Sequence, residues 1–359
     1  MMILKKTLSI ILAATILFAF AVPSFSANDN AWMVSRSQAE LFSESASETQ
    51  TRILAKRKSG IYSEYYGKFV QTSSGRVNYS IFGDAGDTIV LLPGYSTPSP
   101  YFAFLRLAEK LSSEYKVVII EPLGYGLSDT ADTPRTADNI CGEIHEVLAS
   151  LGEDSYYLMG HSIAGLYMLD YANLYTDEVL GVIGLDASVP AQGTDEDSSS
   201  SSILSKIEYS KLMRFFVKIY YRFYLLYIRS LPDEKLREMA SGGSVLGTFA
   251  DLSNEDKRAY AEIWRMGMLN DSVIDEKNRL IENCESELTM RFPDSVPVLY
   301  LLASETVAAE PEWKQWHEEL IQNNPNSRLL VLNGGHWIHL CDPEGVVTET
   351  GAWINNNNV

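Results

Sequence analysis

The sequence predicts an α/β fold in which a mostly parallel, doubly wound sheet carries an inserted helical cap. Short, wholly apolar runs alternate with helical stretches over much of the chain, as they do in parallel sheets that are covered on both faces. The alternation stops between residues 188 and 297, which indicates an insertion between two strands. With 359 residues, 46% of them hydrophobic, the chain is long enough to bury a large core. The apolar runs are Ile89–Leu92, Val117–Ile120, Tyr157–Met159, Val182–Leu185, Val298–Leu302 and Leu329–Leu332.

Two segments precede the predicted core. Residues 1–26 have the pattern of a cleaved signal peptide, with two lysines, an apolar run over 8–22, and Ser24 and Ser26 at the −3 and −1 positions of a cleavage site. The apolar run is shorter than the roughly 20 residues of a membrane span. We therefore predict a secreted protein, which would stay membrane-associated only if this segment remained uncleaved. Residues 27–66 are polar and mixed in charge, and we assign them to an N-terminal arm.

The core is predicted in two parts, residues 67–188 and 296–359. The first part opens with a hairpin, because the alternating runs Phe69–Thr72 and Arg76–Ile81 flank a Ser-Ser-Gly turn. Helices are expected between the apolar strands. They are predicted over Tyr101–Ser112, Thr136–Leu151 and Ala164–Tyr175.

Residues 189–295 form the predicted helical cap. The tract Leu212–Phe223 is apolar nearly all round, with Arg214, Lys218 and Arg222 spaced four residues apart in one stripe. Such a tract fits a cap helix that packs its aromatic residues over a site. It also fits a lid that meets anionic lipid, with the basic stripe at the headgroups. Both interpretations predict an apolar roof, and therefore a small-molecule apolar ester or acyl substrate.

Charge and cysteine content limit the classes of partner. The formal net charge is −18, and a surface this acidic repels phosphate backbones, so nucleic acid is not an expected partner. Three scattered cysteines, Cys141, Cys284 and Cys341, are too few for a disulfide framework. They leave open one bridge with a spare thiol or three free thiols.

A candidate nucleophile follows the apolar run that ends at Met159. Ligands bind outside the carboxyl ends of parallel strands, and Gly160-His161-Ser162 comes directly after this run. A nucleophilic serine on a tight strand-to-helix turn needs small neighbours, which Gly160 and Ala164 supply. The helix that begins after Ser162 would point its positive end at a developing oxyanion.

His336 is the candidate base. A serine hydroxyl becomes a strong nucleophile only when a base accepts its proton, and the chain has five histidines. His145 and His317 fall inside helical tracts and are expected to be surface or half-buried residues. His161 would point away from the serine on such a turn, and His339 is expected to pack near the site. His336 follows two glycines after the last strand, at the same sheet edge as the serine.

The third member of the site should be an acid that holds the imidazole in its productive tautomer. Glu305 follows the strand run that ends at Leu302, and Asp186 follows the run that ends at Leu185. Either could reach the imidazole. We favour Glu305 and keep Asp186 as the alternative acid. If Glu305 is the acid, we expect Asp186 to have a structural role and to bind loop amides.

Two backbone N–H groups are the candidate oxyanion donors. Ile163 follows the nucleophile, and Tyr95 follows Gly94 in the loop after an adjacent strand.

No cofactor or metal is expected. The stretch Gly124–Ser128 lacks the third glycine and the acidic residue of a dinucleotide site. No cysteine or acid cluster completes a metal site with the His-x-x-His pair near the C terminus.

From about residue 68 to residue 354 the chain resembles the α/β-hydrolases, specifically single-domain serine esterase- or lipase-like members with a helical cap. The resemblance implies the nucleophile Ser162, the base His336 and an acid after the penultimate or an earlier strand. A serine also argues against epoxide hydrolases and haloalkane dehalogenases, relatives that use aspartate there. The stretches that carry the resemblance to the α/β-hydrolases are Pro93-Gly94-Tyr95, Glu121–Ser128, Gly160–Gly165, Leu185-Asp186 and Gly335-His336.

Three positions depart from the pattern of that superfamily. Pro93 stands where His-Gly is common, Ala164 replaces the usual glycine, and Glu305 falls one residue before the usual position of the aspartate. We predict an exported serine hydrolase that cleaves a carboxylic ester or related acyl compound through an acyl-enzyme. The alternatives are a peptidase resembling proline iminopeptidases, an acyl transferase, and a ligand-binding protein that retains the fold without turnover.

Overall fold

The computed structural model describes residues 67–190, 256, 259, 260, 263 and 270–357. The predicted signal peptide, the N-terminal arm and the tract Leu212–Phe223 lie outside these residues. So does most of the predicted cap. Within the described ranges, none of the helices combines the length and the apolar character that crossing a membrane requires.

Eight strands form one sheet in the part of the chain that the structure describes. The strand order is β1-β2-β4-β3-β5-β6-β7-β8, in which β2 runs antiparallel to both β1 and β4 and the remaining neighbours pair in parallel. The predicted mostly parallel sheet is therefore confirmed, and each predicted apolar run lies within a strand. The strands are β1 Lys68–Thr72, β2 Gly75–Phe82, β3 Thr88–Leu92, β4 Lys116–Glu121, β5 Tyr156–His161, β6 Val179–Leu185, β7 Val298–Ala303 and β8 Arg328–Leu332.

Helices cover both faces of the sheet. Alternate residues of each strand face opposite sides, so that Val90 and Leu92 belong to one buried cluster and Ile89 and Leu91 to the other. Helices α2 and α3 contribute to the first cluster, and α1 and α8 to the second. The sheet is thus doubly wound, as predicted. The helices are α1 Pro100–Leu111, α2 Ala137–Leu151, α3 Ala164–Leu174, α4 Asp271–Glu287, α5 Ser304–Ala309, α6 Trp313–Ile321, α7 Ile338–Cys341 and α8 Pro343–Asn357.

Helix α4 lies in the region predicted as cap and packs directly on the core. It begins after Asn270, whose side-chain oxygen accepts hydrogen bonds from the second and third residues that follow. The same side chain donates to the carbonyl of Gly124 at 2.5 Å, and Ser272 Oγ accepts the N–H of Ala131 at 2.8 Å. These bonds attach α4 to the long loop between β4 and α2.

Two kinds of buried ionisable group lie around α2 and α4, an ion pair and a single carboxyl group. Arg135 and Glu143 form a bidentate pair at 2.6 and 2.9 Å, and both side chains are almost fully buried. Glu287, at the end of α4, is 1% exposed. Burial, and then the nearby charges of Asp170 and Asp138, raise the pKa of Glu287 to about 9.

All three cysteines are free thiols. Cys141 is buried, Cys284 is half-buried and Cys341 is exposed. Of the two alternatives that the sequence left open, the structure has the one without a bridge.

Candidate active site

Ser162 lies on a strained turn between β5 and α3. Its φ is 54°, a left-handed conformation that side-chain-bearing residues rarely adopt. The turn is held by two N–H groups that donate to the Ser162 carbonyl, from Ser188 at 2.7 Å and Gly165 at 2.9 Å. Space is tight, because a Cβ on Gly165 would lie 2.2 Å from the carbonyl oxygen of Ser188, and one on Gly160 would lie 2.8 Å from the Ala164 Cβ. The small residues therefore allow the backbone to approach itself this closely.

His336 reaches Ser162 from the loop that follows β8. Its Nε2 lies 3.0 Å from Ser162 Oγ, and its Nδ1 lies 2.7 Å from Asp186 Oδ2. A carboxylate only accepts hydrogen bonds, so Nδ1 carries the proton and Nε2 is free to accept the proton of the serine hydroxyl. The imidazole is 42% exposed, whereas Asp186 is fully buried.

Asp186 is held by donors on three sides. Its Oδ1 accepts the N–H of Ala303 and the indole N–H of Trp313, each at 3.0 Å. Its Oδ2 accepts the Thr306 hydroxyl at 2.6 Å in addition to His336. These bonds stabilise the ionised carboxylate in its buried position. The backbone at Asp186 is left-handed, with φ 44°, and this conformation directs the side chain across the end of β7.

The structure overturns the preference for Glu305 as the acid next to the imidazole. Strand β7 passes directly into α5, and the second residue of this short helix is Glu305, whose side chain is exposed. Its carboxylate lies beside Gly335, where a Cβ would be 3.0 Å from Glu305 Oε2, while the His336 Nδ1–H donates to Asp186. Asp186, the alternative acid, occupies the position that Glu305 was expected to fill.

The two predicted oxyanion donors belong to segments next to the serine. Ile163 is its neighbour in the chain, and the loop that contains Tyr95 is its neighbour in space. Ile163 directly follows Ser162 and is the residue before the first turn of α3. Tyr95 follows Gly94, where a Cβ would lie 3.1 Å from the Ser162 Cβ and 2.5 Å from His161 Nδ1. The 93–98 loop therefore packs against the nucleophile turn. The roles of these two amides stay predictions.

None of the other four histidines is hydrogen-bonded to the Ser162 hydroxyl. His161 points away from it, as expected, and its Nε2–H donates to the carbonyl of His336 at 3.0 Å, while burial lowers its pKa. His339 is buried beside the rings of His161 and Phe104, and burial lowers its pKa to about 3. His145 is half-buried and bonds Glu178, as a structural histidine would.

His317 differs from the expectation of a surface or half-buried residue. It is fully buried, with Nε2 2.8 Å from the carbonyl oxygen of Ala187, the residue after Asp186. Burial lowers its pKa. Sequence reasoning also missed Thr306 and Trp313 as partners of Asp186. The pattern Trp313-x-x-x-His317, which places both residues on one face of α6, is a signal that could have found Trp313, whereas the sequence around Thr306 carries no comparable signal.

In the described part of the chain, no group of three or more His, Cys, Asp or Glu side chains is arranged to hold a metal ion. Gly126, in the stretch Gly124–Ser128, has a structural role. A Cβ on Gly126 would lie 1.9 Å from a carboxylate oxygen of Glu121, and that carboxylate accepts the N–H of Leu127 at 2.7 Å. The glycine therefore lets the loop fold over a buried acid.

The fold and this Ser-His-Asp arrangement define a protein of the α/β hydrolase class. The family model for the alpha/beta hydrolase fold matches residues 87–343. The chain belongs to this family.

Relatives whose names state an activity are hydrolases of different kinds. Epoxide hydrolase 4 of Mus musculus is 23% identical over 318 residues, which cover 87% of this chain and 85% of that protein. N-formylmaleamate deformylase of Pseudomonas putida is 30% identical over 104 residues, which cover 29% of this chain and 38% of that protein. Among solved structures, epoxide hydrolase from Vigna radiata superposes with a TM-score of 0.62 at 15% identity, over 82% of this chain and 99% of that chain. The structural likeness shows the fold alone.

Proposed function

We propose that this protein is a serine hydrolase that cleaves a carboxylic ester or a related acyl compound. The observation that carries the proposal is the continuous hydrogen-bonded series from Ser162 Oγ through His336 to the buried Asp186, at 3.0 and 2.7 Å. Because Asp186 accepts the Nδ1–H of His336, the Nε2 lone pair of the imidazole faces the serine hydroxyl, as this reaction needs.

In the proposed reaction, Ser162 Oγ attacks the carbonyl carbon and His336 Nε2 takes the hydroxyl proton. Asp186 stabilises the imidazolium that forms. The oxyanion of the tetrahedral intermediate would accept the N–H groups of Ile163 and Tyr95. His336 then gives its proton to the leaving group, which departs with its electron pair and leaves an acyl-serine. Water, deprotonated by the same imidazole, hydrolyses this ester and restores the serine.

The chemistry of the nucleophile favours acyl substrates over epoxides. A carboxylate that opens an epoxide forms an ester, which water can hydrolyse. A serine hydroxyl that opened an epoxide would form an ether, and no water-accessible carbonyl would remain for release. Ser162 therefore supports acyl transfer to water, although epoxide hydrolases are among the relatives of similar length.

The proposed substrate is small and apolar on its acyl or alkyl side, as inferred from the aromatic and aliphatic tract at 212–223. A lipid surface is a proposed partner of the same tract. A peptidase or acyl transferase activity is the alternative within the same mechanism. These alternatives differ in the leaving group or in the acceptor that replaces water, and not in the Ser-His-Asp series.

Labelling with a fluorophosphonate probe tests the nucleophile. We expect one equivalent of probe on the protein and none on a folded Ser162→Ala variant. Unlabelled protein from the same preparation would then be assayed on p-nitrophenyl esters of rising acyl length, an N-formyl amide, a prolyl amide with a free N terminus and an aryl epoxide. Turnover of esters supports the proposal. Absence of labelling in protein with a cooperative unfolding transition, or turnover of the epoxide alone, contradicts it.

Export is a separate proposal that rests on residues 1–26. Mass spectrometry of the protein recovered from the growth medium of its host should give a mature N terminus at Ala27. A protein retained inside the cell with residues 1–26 intact would contradict the proposal.

A further inference from the structure

The 93–98 loop is tied to helix α4 at two points. The hydroxyl of Tyr95 donates to the carbonyl of Val273 at 3.2 Å. The N–H of the next residue, Ser96, donates to the hydroxyl oxygen of Tyr125 at 3.2 Å. One tie is made by the side chain of the residue whose amide is predicted to hold the oxyanion, and the other by the backbone of the next residue.

The Tyr125 hydroxyl is fixed by a buried carboxylate on α4. It donates to Glu276 Oε2 at 2.7 Å, and the tyrosine and the glutamate are 4% and 1% exposed. A tyrosine hydroxyl has one proton to donate and can accept in addition. Because that proton goes to Glu276, the hydroxyl oxygen presents a lone pair to the Ser96 N–H. Burial and the Glu276 charge raise the pKa of Tyr125, so the hydroxyl keeps its proton at neutral pH.

Ser96 has a conformation that requires such support. Its φ is 56°, in the left-handed region where a residue with a side chain persists only when its surroundings hold it. The Ser96 N–H also belongs to the peptide that follows Tyr95. The predicted donor, the Tyr95 N–H, lies in the peptide before Tyr95, so that rotation of the backbone at Ser96 would release the residue that carries this donor.

We propose that Tyr125, oriented by Glu276, is a positioning residue that holds the 93–98 loop with the Tyr95 amide directed at the oxyanion. This inference rests on the proposed function and deepens it, because it names what fixes one of the two predicted oxyanion donors. The proposal also gives a role to Tyr125, which lies in the stretch Gly124–Ser128 that does not match a dinucleotide-binding motif.

The structure contains a matched control on the same carboxylate. The hydroxyl of Tyr167 donates to Glu276 Oε1, also at 2.7 Å, and its side chain is 5% exposed. Tyr167 lies on α3. Its replacement by phenylalanine removes a buried hydroxyl from Glu276 but leaves the acceptor of the Ser96 N–H in place. Any general effect of a lost buried hydrogen bond is therefore common to both variants.

The test compares Tyr125→Phe with Tyr167→Phe in the full-length protein on the best ester of the panel. Tyr125→Phe would leave the Tyr95 amide in place but direct it less well at the oxyanion. We therefore expect kcat of Tyr125→Phe to fall by about tenfold or more, with KM within about twofold. Tyr167→Phe should lose less than about threefold in kcat. Equal losses in the two variants, or a change in KM alone for Tyr125→Phe, would overturn the proposal.

Hydrogen exchange at the Ser96 amide tests the positioning without catalysis. The amide should be protected in the wild-type protein and in Tyr167→Phe, and should exchange faster in Tyr125→Phe. A wild-type Ser96 amide that exchanges as fast as a solvent-exposed loop amide overturns the proposal, whether or not the variants fold. If the wild-type protein turns over none of the panel, the proposed function fails, and this exchange pattern still decides the role of Tyr125.

Discussion

Replacing Asp186 by asparagine should remove most of the activity while leaving the shape of the site intact. The wild-type carboxylate faces four donors: the N–H of Ala303, the indole of Trp313, the hydroxyl of Thr306 and His336 Nδ1. An asparagine at this position has only one acceptor oxygen. The arrangement with the fewest unsatisfied groups directs this oxygen at the two donors that cannot rotate away, the Ala303 and Trp313 N–H groups.

That arrangement changes the tautomer of His336. The amide NH₂ of the asparagine would then face Thr306, whose hydroxyl can turn to accept, and His336 Nδ1, which must also become an acceptor. The imidazole proton moves to Nε2, and Nε2 can no longer take the proton of Ser162. A loss of about 10³–10⁴ in kcat is expected for a fixed imidazole in the wrong tautomer. At about 1.36 kcal/mol for each factor of ten, this equals about 4–5.5 kcal/mol of transition-state stabilisation.

Glu305→Gln is the matched control, because it makes the same carboxylate-to-amide change on the acid that the sequence favoured. Its exposed side chain accepts no bond from His336, so we expect kcat within about twofold of the wild-type value. The assay is hydrolysis of one activated ester by both variants and the wild type, with urea unfolding as a check on folding. Retention of more than a tenth of the activity by Asp186→Asn, or an equal loss in Glu305→Gln, would refute this assignment of the acid.

Three further predictions concern stability and are measured by urea unfolding. Gly165→Ala, whose Cβ would lie 2.2 Å from the Ser188 carbonyl oxygen, should lose about 1–3 kcal/mol, while Gly142→Ala, which meets nothing within 4 Å in α2, should be neutral or stabilising. Arg135→Met should cost about 3–5 kcal/mol, because it leaves the buried carboxylate partner of the arginine uncompensated; no loss would contradict this. The pKa of Glu287 is raised to about 9. Its neutral form therefore stabilises the fold at low pH, and this contribution is lost as the pH rises from about 4.5 toward 9. Glu287→Gln should accordingly gain about 2–4 kcal/mol relative to the wild type between pH 5 and pH 8, and an equal difference at both pH values would contradict the shift.

The sheet could be predicted because its strands are local features. Runs such as Ile89–Leu92 and Val298–Leu302 are apolar throughout, and only a strand covered on both faces buries such a run completely. The same applies to the position of Ser162 and His336. Small residues around the serine and two glycines before the histidine mark sharp turns at strand ends, and parallel strands bring those ends to one edge.

The acid could not be chosen this way, because strand ends give position along the edge but not the direction of a side chain. Glu305 and Asp186 both follow strands at the correct edge. The left-handed backbone of Asp186 turns its carboxylate under the imidazole, whereas α5 begins at once after β7 and leaves Glu305 exposed. An aspartate is among the residues that tolerate this conformation best after glycine. That tolerance is a chemical reason for Asp186 that the strand pattern alone does not contain.

The three non-glycine residues with left-handed backbones in the described part of the chain are Ser96, Ser162 and Asp186. All three lie in loops that meet at the candidate site, and each is held by hydrogen bonds from a distant part of the chain. Tyr125 accepts from Ser96, Ser188 donates to Ser162, and Thr306 donates to Asp186. Conformations of this kind are costly, and they persist where surrounding contacts over-determine them. The nucleophile, the acid and the residue after the predicted donor Tyr95 are therefore set by tertiary contacts, so that residues outside the site, Tyr125 first among them, should control its activity.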